Sequence, residues 1–264
     1  MDNERRQVID QMGFKVDVPR HPQKIISLVP SLTELLFDLG LGKELIGITK
    51  FCVHPSSKVG TKTKVGGTKK FNFEKINRLY PDLIIGNKEE NYRDGIERLK
   101  ARYPVWMSDI KTLEDNREMI LALGQINNRT AEAQQLTARM DELTETFDPI
   151  TNKSVIYLIW RKPYMAVGGD TYINQMLKLC GFENVLQNES RYPELDNSQI
   201  NALRPDVILL SSEPFPFKSH HVAEFKSICP DIPVLLVDGE MFSWYGSRLL
   251  QAIPYFRELK KLLA

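Results

Sequence analysis

Ile76-Asn77-Arg78-Leu79-Tyr80-Pro81-Asp82-Leu83-Ile84-Ile85 decides the fold, because nearly the same phrase returns at Ile200-Asn201-Ala202-Leu203-Arg204-Pro205-Asp206-Val207-Ile208-Leu209. Each copy reads as the end of an amphipathic helix, a Pro-Asp turn and a buried strand. A second pair follows in the same order, Pro104-Val105-Trp106-Met107-Ser108-Asp109 answered by Pro233-Val234-Leu235-Leu236-Val237-Asp238. One helix-turn-strand phrase is a common way into a strand of any α/β protein. Two blocks in one order at nearly one spacing indicate an internal duplication. Two like α/β lobes are therefore predicted, with a crevice between them of the kind in which small molecules bind.

Size and composition agree. A chain of 264 residues exceeds the usual single domain, so two domains of about 120 to 130 residues are expected. The 35 basic and 34 acidic residues nearly cancel, which leaves no overall field to draw in a nucleic acid or an anionic membrane. Nucleic acid is not an expected partner. The short runs Lys62-Thr63-Lys64, Lys69-Lys70 and Lys260-Lys261 read as solvated faces. Cys52, Cys180 and Cys229 are too few and too scattered for a disulfide framework, and no Cys-x-x-Cys is present. The start, Met1-Asp2-Asn3-Glu4-Arg5-Arg6, lacks the apolar run of a secretory signal. No stretch approaches the roughly 20 apolar residues of a membrane span. The start fits a whole cytosolic N-terminus or what is left after a leader is removed.

Gln7 to Pro22 reads as a short polar hairpin or an extended arm, with Gln11-Met12-Gly13-Phe14 as its turn. Lys24 to Val29 is the first buried strand and Pro30 ends it. Ser31, three residues before Glu34, predicts a capping box that opens a helix carrying Leu35, Leu36 and Leu39, closed by Gly40. Leu45 to Ile48 is a second strand, followed by a loop from Thr49 to Pro55. A further loop covers Val65 to Phe71, and the strand Leu83 to Ile85 runs out into Gly86-Asn87-Lys88-Glu89-Glu90-Asn91. Loops at the carboxyl ends of parallel strands line the crevice of such sheets, so these three form the expected first-lobe wall.

Thr130 to Phe147 contains no glycine or proline, and Ala133, Leu136, Met140, Leu143 and Phe147 recur at helical steps. Such a helix spans roughly 27 Å. It is either a stiff strut between the halves or a surface helix followed by a linker at Asp148-Pro149. The second lobe opens with a strand from Ser154 to Trp160, a turn at Arg161-Lys162-Pro163 and a return strand from Tyr164 to Val167. Gly168-Gly169-Asp170 lacks the full Gly-x-Gly-x-x-Gly spacing of a phosphate cradle and reads as a turn before the helix Thr171 to Leu179.

No enzyme pattern stands out. The chain has no Gly-x-Ser-x-Gly elbow, His-Glu-x-x-His or Gly-x-x-x-x-Gly-Lys-Ser/Thr loop. The order Ile25-Ile26-Ser27-Leu28-Val29-Pro30-Ser31-Leu32-Thr33-Glu34-Leu35, then Val65-Gly66-Gly67, then Asn72-Phe73-Glu74-Lys75-Ile76 leading to Pro81-Asp82-Leu83-Ile84-Ile85, and finally Asp206-Val207-Ile208, is more informative. It resembles the periplasmic substrate-binding proteins of ABC importers for cobalamin, haem and ferric siderophores, most of all the cobalamin binders, over nearly the whole chain.

The resemblance implies an α/β fold of two Rossmann-like lobes with central, mostly parallel sheets, bridged by one long α-helix. Residues 1–128 would form the N-terminal lobe, 129–148 the bridge and 149–264 the C-terminal lobe. It implies a monomeric, non-enzymatic protein that needs no cofactor. The cargo would be a metal chelate, corrinoid first and haem or ferric siderophore next, passed to an ABC permease dimer. A periplasmic or extracytoplasmic place follows, with a cytoplasmic one left open by the unrecognised leader. The alternatives are a cytosolic corrinoid or metal-cofactor chaperone and a two-lobe glycosyltransferase-like enzyme.

A flat, partly apolar chelate needs aromatic walls and a polar rim. By position in the family pattern, Phe51, Tyr164 and Tyr192 match aromatic cleft residues and Glu240 a cleft carboxylate. The tryptophan expected before the first repeat helix is absent, with Thr68-Lys69-Lys70 in its region, which suits an anionic ligand edge. Lys70, Asn87, Asn91, Trp160 and Arg161 lie on the same loops. Phe242-Ser243-Trp244-Tyr245-Gly246-Ser247-Arg248 either presents Trp244, Tyr245 and Arg248 to ligand or caps the second lobe's core, with Arg248 a structural ion-pair partner. His54 is the candidate axial ligand to iron or cobalt, although a lone loop histidine is more often a hydrogen-bonding surface group, and no resident metal site is predicted. Glu74 matches the carboxylate that docks on permease arginines. Read without the family, it is a first-turn residue favoured by the helix dipole. Ser198 stands at the second-lobe position, with Glu194 and Asp196 nearby as substitutes.

Overall fold

The computed structural model describes residues 4–149 and 151–263, so the first three residues of the charged N-terminus lie outside the described residues. The chain divides into two compact units, one made of Met1–Ile110, Glu114–Asp141 and Tyr245–Arg248, the other of Lys111–Leu113, Glu142–Trp244 and Leu249–Ala264.

The first unit begins with the predicted hairpin, β1 (Arg5–Ile9) paired antiparallel with β2 (Lys15–Pro19). Its turn is held by Asp10, whose Oδ1 accepts from the backbone N–H groups of Met12 at 3.0 Å and Phe14 at 2.8 Å. Gly13 supplies the left-handed residue at φ +82°. Then come β3 (Ile25–Ser27), α1 (Pro30–Asp38), β4 (Leu45–Ile48), the short α2 (Ser56–Val59), β5 (Thr63–Lys64) and a two-residue ribbon of β6 (Gly66–Gly67) with β7 (Lys70–Phe71). α3 (Phe73–Leu79), β8 (Leu83–Asn87), α4 (Arg93–Lys100), β9 (Val105–Ser108) and α5 (Leu113–Ile126) follow.

Among the described residues the parallel sheet runs β5-β4-β3-β8-β9. Chain order reverses between β3 and β8, the doubly wound arrangement that opens a crevice at the carboxyl ends of those two strands. Ile25, Ile26, Leu83, Ile84 and Ile85 are fully buried, as strands covered on both faces require. The hairpin lies along the sheet's edge strand: Gln11 N–H donates to Met107 O at 3.1 Å and Trp106 Nε1 to Ile9 O at 3.3 Å.

One local expectation fails. α1 starts at Pro30, its N-cap is Val29, and no side chain caps it. Proline's fixed φ and missing N–H suit the first helical position, so the helix begins ahead of Ser31, which is buried in its first turn. Glu34 turns to Arg248 instead of to the backbone.

α6 (Thr130–Glu145) ends two residues short of the predicted Phe147. Its residues through Asp141 pack with the first unit and those from Glu142 with the second. The helix thus bridges the two units, as expected. The second unit continues with β10 (Ser154–Trp160), β11 (Tyr164–Ala166), α7 (Tyr172–Leu179), β12 (Glu183–Asn184), β13 (Glu194–Leu195), α8 (Asn197–Leu203), β14 (Val207–Ser211), α9 (Ser219–Ile228), β15 (Val234–Val237), α10 (Gly239–Ser243) and α11 (Leu249–Leu263). Its sheet runs β13-β11-β10-β14-β15, with β12 also beside β10. β12, β14 and β15 join through parallel pairing, while β11 and β13 are antiparallel. Gly168 and Gly169 form no phosphate cradle. Their N–H groups donate to Arg191 O and Glu189 O, each at 2.8 Å.

The duplication is visible atom by atom. Asn72 caps α3 by accepting from Lys75 N–H at 3.0 Å, and Asp196 caps α8 by accepting from Gln199 N–H at 2.8 Å. Both helices close on a left-handed residue, Tyr80 at φ 49° and Arg204 at φ 43°. The repeated aspartates then pin the start of the neighbouring strand. Asp82 accepts from Gln23 and Lys24 N–H, each at 2.9 Å. Asp206 accepts from the N–H and the hydroxyl of Ser154, each at 2.7 Å.

Candidate ligand-binding surfaces

The carboxyl ends of the first unit's strands carry a layer of small polar side chains. Thr33 Oγ1 lies 2.9 Å from Ser27 Oγ and 3.1 Å from Cys52 Sγ, with Thr49 Oγ1 3.2 Å from the same sulfur. Burial pushes the Cys52 thiol up, so it is a packed group and not a nucleophile. Asn91 spans the crevice between β3 and β8. Its amide nitrogen donates to Leu28 O and Thr68 O, each at 3.1 Å, while its oxygen accepts from Asn87 N–H at 2.9 Å. Asn87 Oδ1 accepts from Glu89 and Glu90 N–H at 2.8 and 3.1 Å. Both asparagines are buried. They tie loops together at the strand ends.

Above this layer, Phe51 leaves β4 with its side chain 51% exposed. Lys50 Nζ sits 4.9 Å from the ring centroid, and a Cβ on Gly67 would meet the ring at 3.0 Å. Gly67 therefore leaves room for the ring to approach the ribbon closely. His54 is half-buried in the same loop, near Glu34, whose carboxyl burial raises. Lys69 is exposed, and its Nζ donates to Glu89 O at 2.6 Å. Burial raises the Glu90 carboxyl, with Lys69 acting against it.

Tyr245 and Arg248 pack with the first unit, although they follow the second unit's last strand in sequence. Gly246 N–H donates to Asn116 Oδ1 at 2.6 Å, and Asn116 Nδ2 returns a bond to Gly246 O at 3.3 Å. Arg248 Nε donates to Glu34 Oε2 at 2.9 Å, with the guanidinium side chain only 2% exposed. Burial holds the Glu34 carboxyl above its usual range despite the cation beside it. Tyr245 is buried, which drives its phenol well up, with the nearby Ser31 and Ser108 hydroxyls acting in the opposite direction. Of the two readings of this segment, burial of Tyr245 and Arg248 fits the one that packs them into a core, although the unit they join is the first. The site packs them inward, Arg248 as the structural ion-pair partner.

In the second unit, Tyr164 Oη donates to Glu224 Oε1 at 2.5 Å, and Arg161 Nε donates to both carboxylate oxygens at 3.1 and 3.0 Å. Burial and the Glu224 bond raise the Tyr164 phenol to about 12. Burial would raise Glu224, but Tyr164 and Arg161 together bring it below its ordinary value. The Tyr164 ring leans on Phe225 at 5.0 Å. Trp160 ends β10 39% exposed and meets Phe215 edge to face at 5.8 Å. Tyr192 is half-buried, with the Arg191 guanidinium 5.7 Å from its ring centroid. Glu240, half-buried, opens α10, and its N–H donates to the N-cap Asp238 at 3.1 Å. Trp244 is buried at 8% exposure, its Nε1 donating to Glu213 Oε1 at 2.9 Å beside Ser243 Oγ at 2.5 Å. Trp244 thus fits the reading in which it caps the second unit's core.

The docking candidates lie on the repeat helices. Glu74 is exposed in the first turn of α3 and pairs with Arg78 one turn on. Ser198 is exposed in the first turn of α8, Asp196 is committed to the cap, and Glu194 is exposed on β13. Among the described residues no group of three or more His, Cys, Asp or Glu could hold a metal ion, and no helix is long and apolar enough to cross a membrane.

The family profile described as periplasmic binding protein matches residues 25–231. The chain belongs to that family. Among curated periplasmic binding proteins it is similar to the vitamin B12-binding protein of Vibrio parahaemolyticus, 28% identical over 72% of this chain and 70% of that one. It is also similar to an uncharacterised ABC transporter substrate-binding lipoprotein, YvrC, of Bacillus subtilis, 27% identical over 76% of this chain and 67% of that one. The fold matches a periplasmic haem-binding protein, BhuT, in complex with two haems, at a TM-score of 0.79 and 23% identity, covering 91% of this chain and 99% of that one. All three relatives are named as binding proteins, one of them a lipoprotein and one periplasmic.

Sequence reasoning missed Glu213 and Glu224 in this periplasmic binding protein and gave Glu34 to a helix cap instead of to Arg248. Each is the carboxylate partner of a residue that was noticed, and each comes from a distant segment. Only Glu34 carried a signal, an acidic side chain on an otherwise apolar helix face.

Proposed function

We propose that this periplasmic binding protein captures a metal chelate, a corrinoid first and haem or a ferric siderophore next, on the loops at the carboxyl ends of its parallel strands, and hands it to an ABC permease dimer outside the cytoplasm. The observation that carries the reading is Phe51: an exposed ring backed by Gly67 and flanked by Lys50, at the strand ends where a doubly wound sheet takes its ligand. Exposed aromatic area beside a cation suits a flat ligand with a polar or anionic edge. Tyr164, Tyr192 and Trp160 supply further rings, and Lys69, His54 and Glu240 supply polar groups. Glu74 is assigned to permease docking because it is exposed in the first turn of α3; Ser198 would be its weaker counterpart.

The test is a titration of the purified protein with cobalamin, haemin and a panel of ferric siderophores, followed by absorbance and tryptophan fluorescence. Saturable capture of one of them without turnover is expected. Absence of binding below about 10 μM, roughly −7 kcal/mol, would overturn the proposal. Phe51→Ala and Tyr192→Ala should each weaken capture by ~1 to 3 kcal/mol with the thermal midpoint unchanged. Glu74→Ala should leave affinity alone and slow handover to the permease in proteoliposomes.

A further inference from the structure

We propose that a groove on the first unit, between the β1–β2 hairpin, α4 and the start of β9, is a second ligand site, for an organic anion that carries phosphate next to an apolar group. The groove has a volume of about 630 Å³, within the range of small-molecule sites. It opens at the amino end of β9, by Pro104 and Val105. The carboxyl-end loops assigned to the chelate lie past the other end of that strand, so the two sites are separate in the fold.

Its charge is lopsided. Arg5, Lys15, Arg93, Lys100 and Arg102 line it against only Asp17 and Glu97. Both carboxylates are taken: Arg5 Nε holds Asp17 at 2.6 Å, and Lys100 Nζ holds Glu97 at 3.2 Å. Lys15, Arg93 and Arg102 make no ion pair among the described residues, and all three are exposed. In a chain whose formal charge is only +1, three unneutralised cations around one concavity are a local excess. Like charges gathered this way repel one another, and an anion relieves the repulsion. Two of the three are arginines, whose planar forks match phosphate oxygens two at a time.

The floor explains the apolar half of the ligand. Phe14, at the hairpin turn, is 52% exposed, with Lys100 Nζ 4.4 Å from its ring centroid. Tyr103, Val16 and Val105 complete the surface. A ring left half in water beside cations is placed to cover a ligand's apolar part.

A soluble phosphomonoester and a phospholipid headgroup share this chemistry, so both are tested on the intact protein. One arm is calorimetric titration with phenyl phosphate. The other is co-sedimentation with phosphatidylcholine vesicles with and without phosphatidylglycerol. Binding in the first arm assigns a soluble ligand, and phosphatidylglycerol-dependent binding in the second assigns a lipid. In either case Arg93→Glu with Arg102→Glu should weaken binding roughly tenfold or more, and Phe14→Ser should weaken it without changing its salt dependence. If the wild-type protein binds neither probe, or the doubly reversed variant binds as tightly, the site does not exist. The chelate titration run on the same variant should be unchanged, so this proposal and the capture proposal fail independently.

Discussion

Arg248 and Glu34 show how a residue that reads as a rim cation becomes a buried one. With the guanidinium 2% exposed and the carboxylate 7% exposed, neither charge keeps its water, and each depends on the other. Arg248→Met, which leaves Glu34 buried alone, should cost ~3 to 5 kcal/mol in urea unfolding, and adding Glu34→Leu should restore most of it. The phenol of Tyr164 carries a different signature. Its value rises from 10.0 to about 12, so the folded state favours the neutral phenol. The stability this contributes is fully present below pH 10 and lost as pH climbs through about 12. A 295 nm titration of wild-type protein minus Tyr164→Phe should show one tyrosinate step near that upper value. The same substitution removes a bond that lowers Glu224, so the Glu224 carboxyl should titrate higher, at a carbon-detected NMR resonance.

The repeated Pro-Asp turn acts through its carboxylate, as a clasp between the end of one helix and the first strand of the sheet. Asp206 lies below its ordinary value because of the Ser154 hydroxyl and N–H. Its contribution to stability is present above the usual carboxylate range and disappears as pH falls through the lowered value. Asp206→Asn should therefore lower the melting temperature at neutral pH and flatten its decline in acid. Asp82→Ala should cost ~1 kcal/mol or more by releasing two backbone N–H groups. At Gly169 a Cβ would sit 1.9 Å from Gln187 O. Gly169→Ala must push two backbone segments apart, at ~2 kcal/mol or more in chemical denaturation.

The order of strands and helices was legible because burial on both faces leaves continuous apolar runs, and because the Pro-Asp phrase recurs. The hairpin turn was legible from Gly13. The cap of α1 was not, since Ser31 and Glu34 satisfy the capping pattern while Pro30 settles where the helix begins. Phe51 and Tyr164 were found as aromatic positions, but what orients them was hidden. Gly67, Arg161 and Glu224 act through contacts made after folding, and no local periodicity reports them.

Across the entire chain, the first unit is not one stretch of sequence. It recruits Tyr245–Arg248 from beyond the second unit's last strand, and these bring the partners of Glu34 and Asn116. The predicted boundary at residue 128 takes no account of this return, because nothing in composition or spacing marks Gly246 as the partner of Asn116. A practical outcome concerns birth and breakage. The ribosome adds 214 residues after Glu34 before its cation exists, so the first unit finishes folding only once the segment Tyr245–Arg248 has emerged. A protease that cuts just before Tyr245 would correspondingly loosen the unit that holds Glu34 and Asn116.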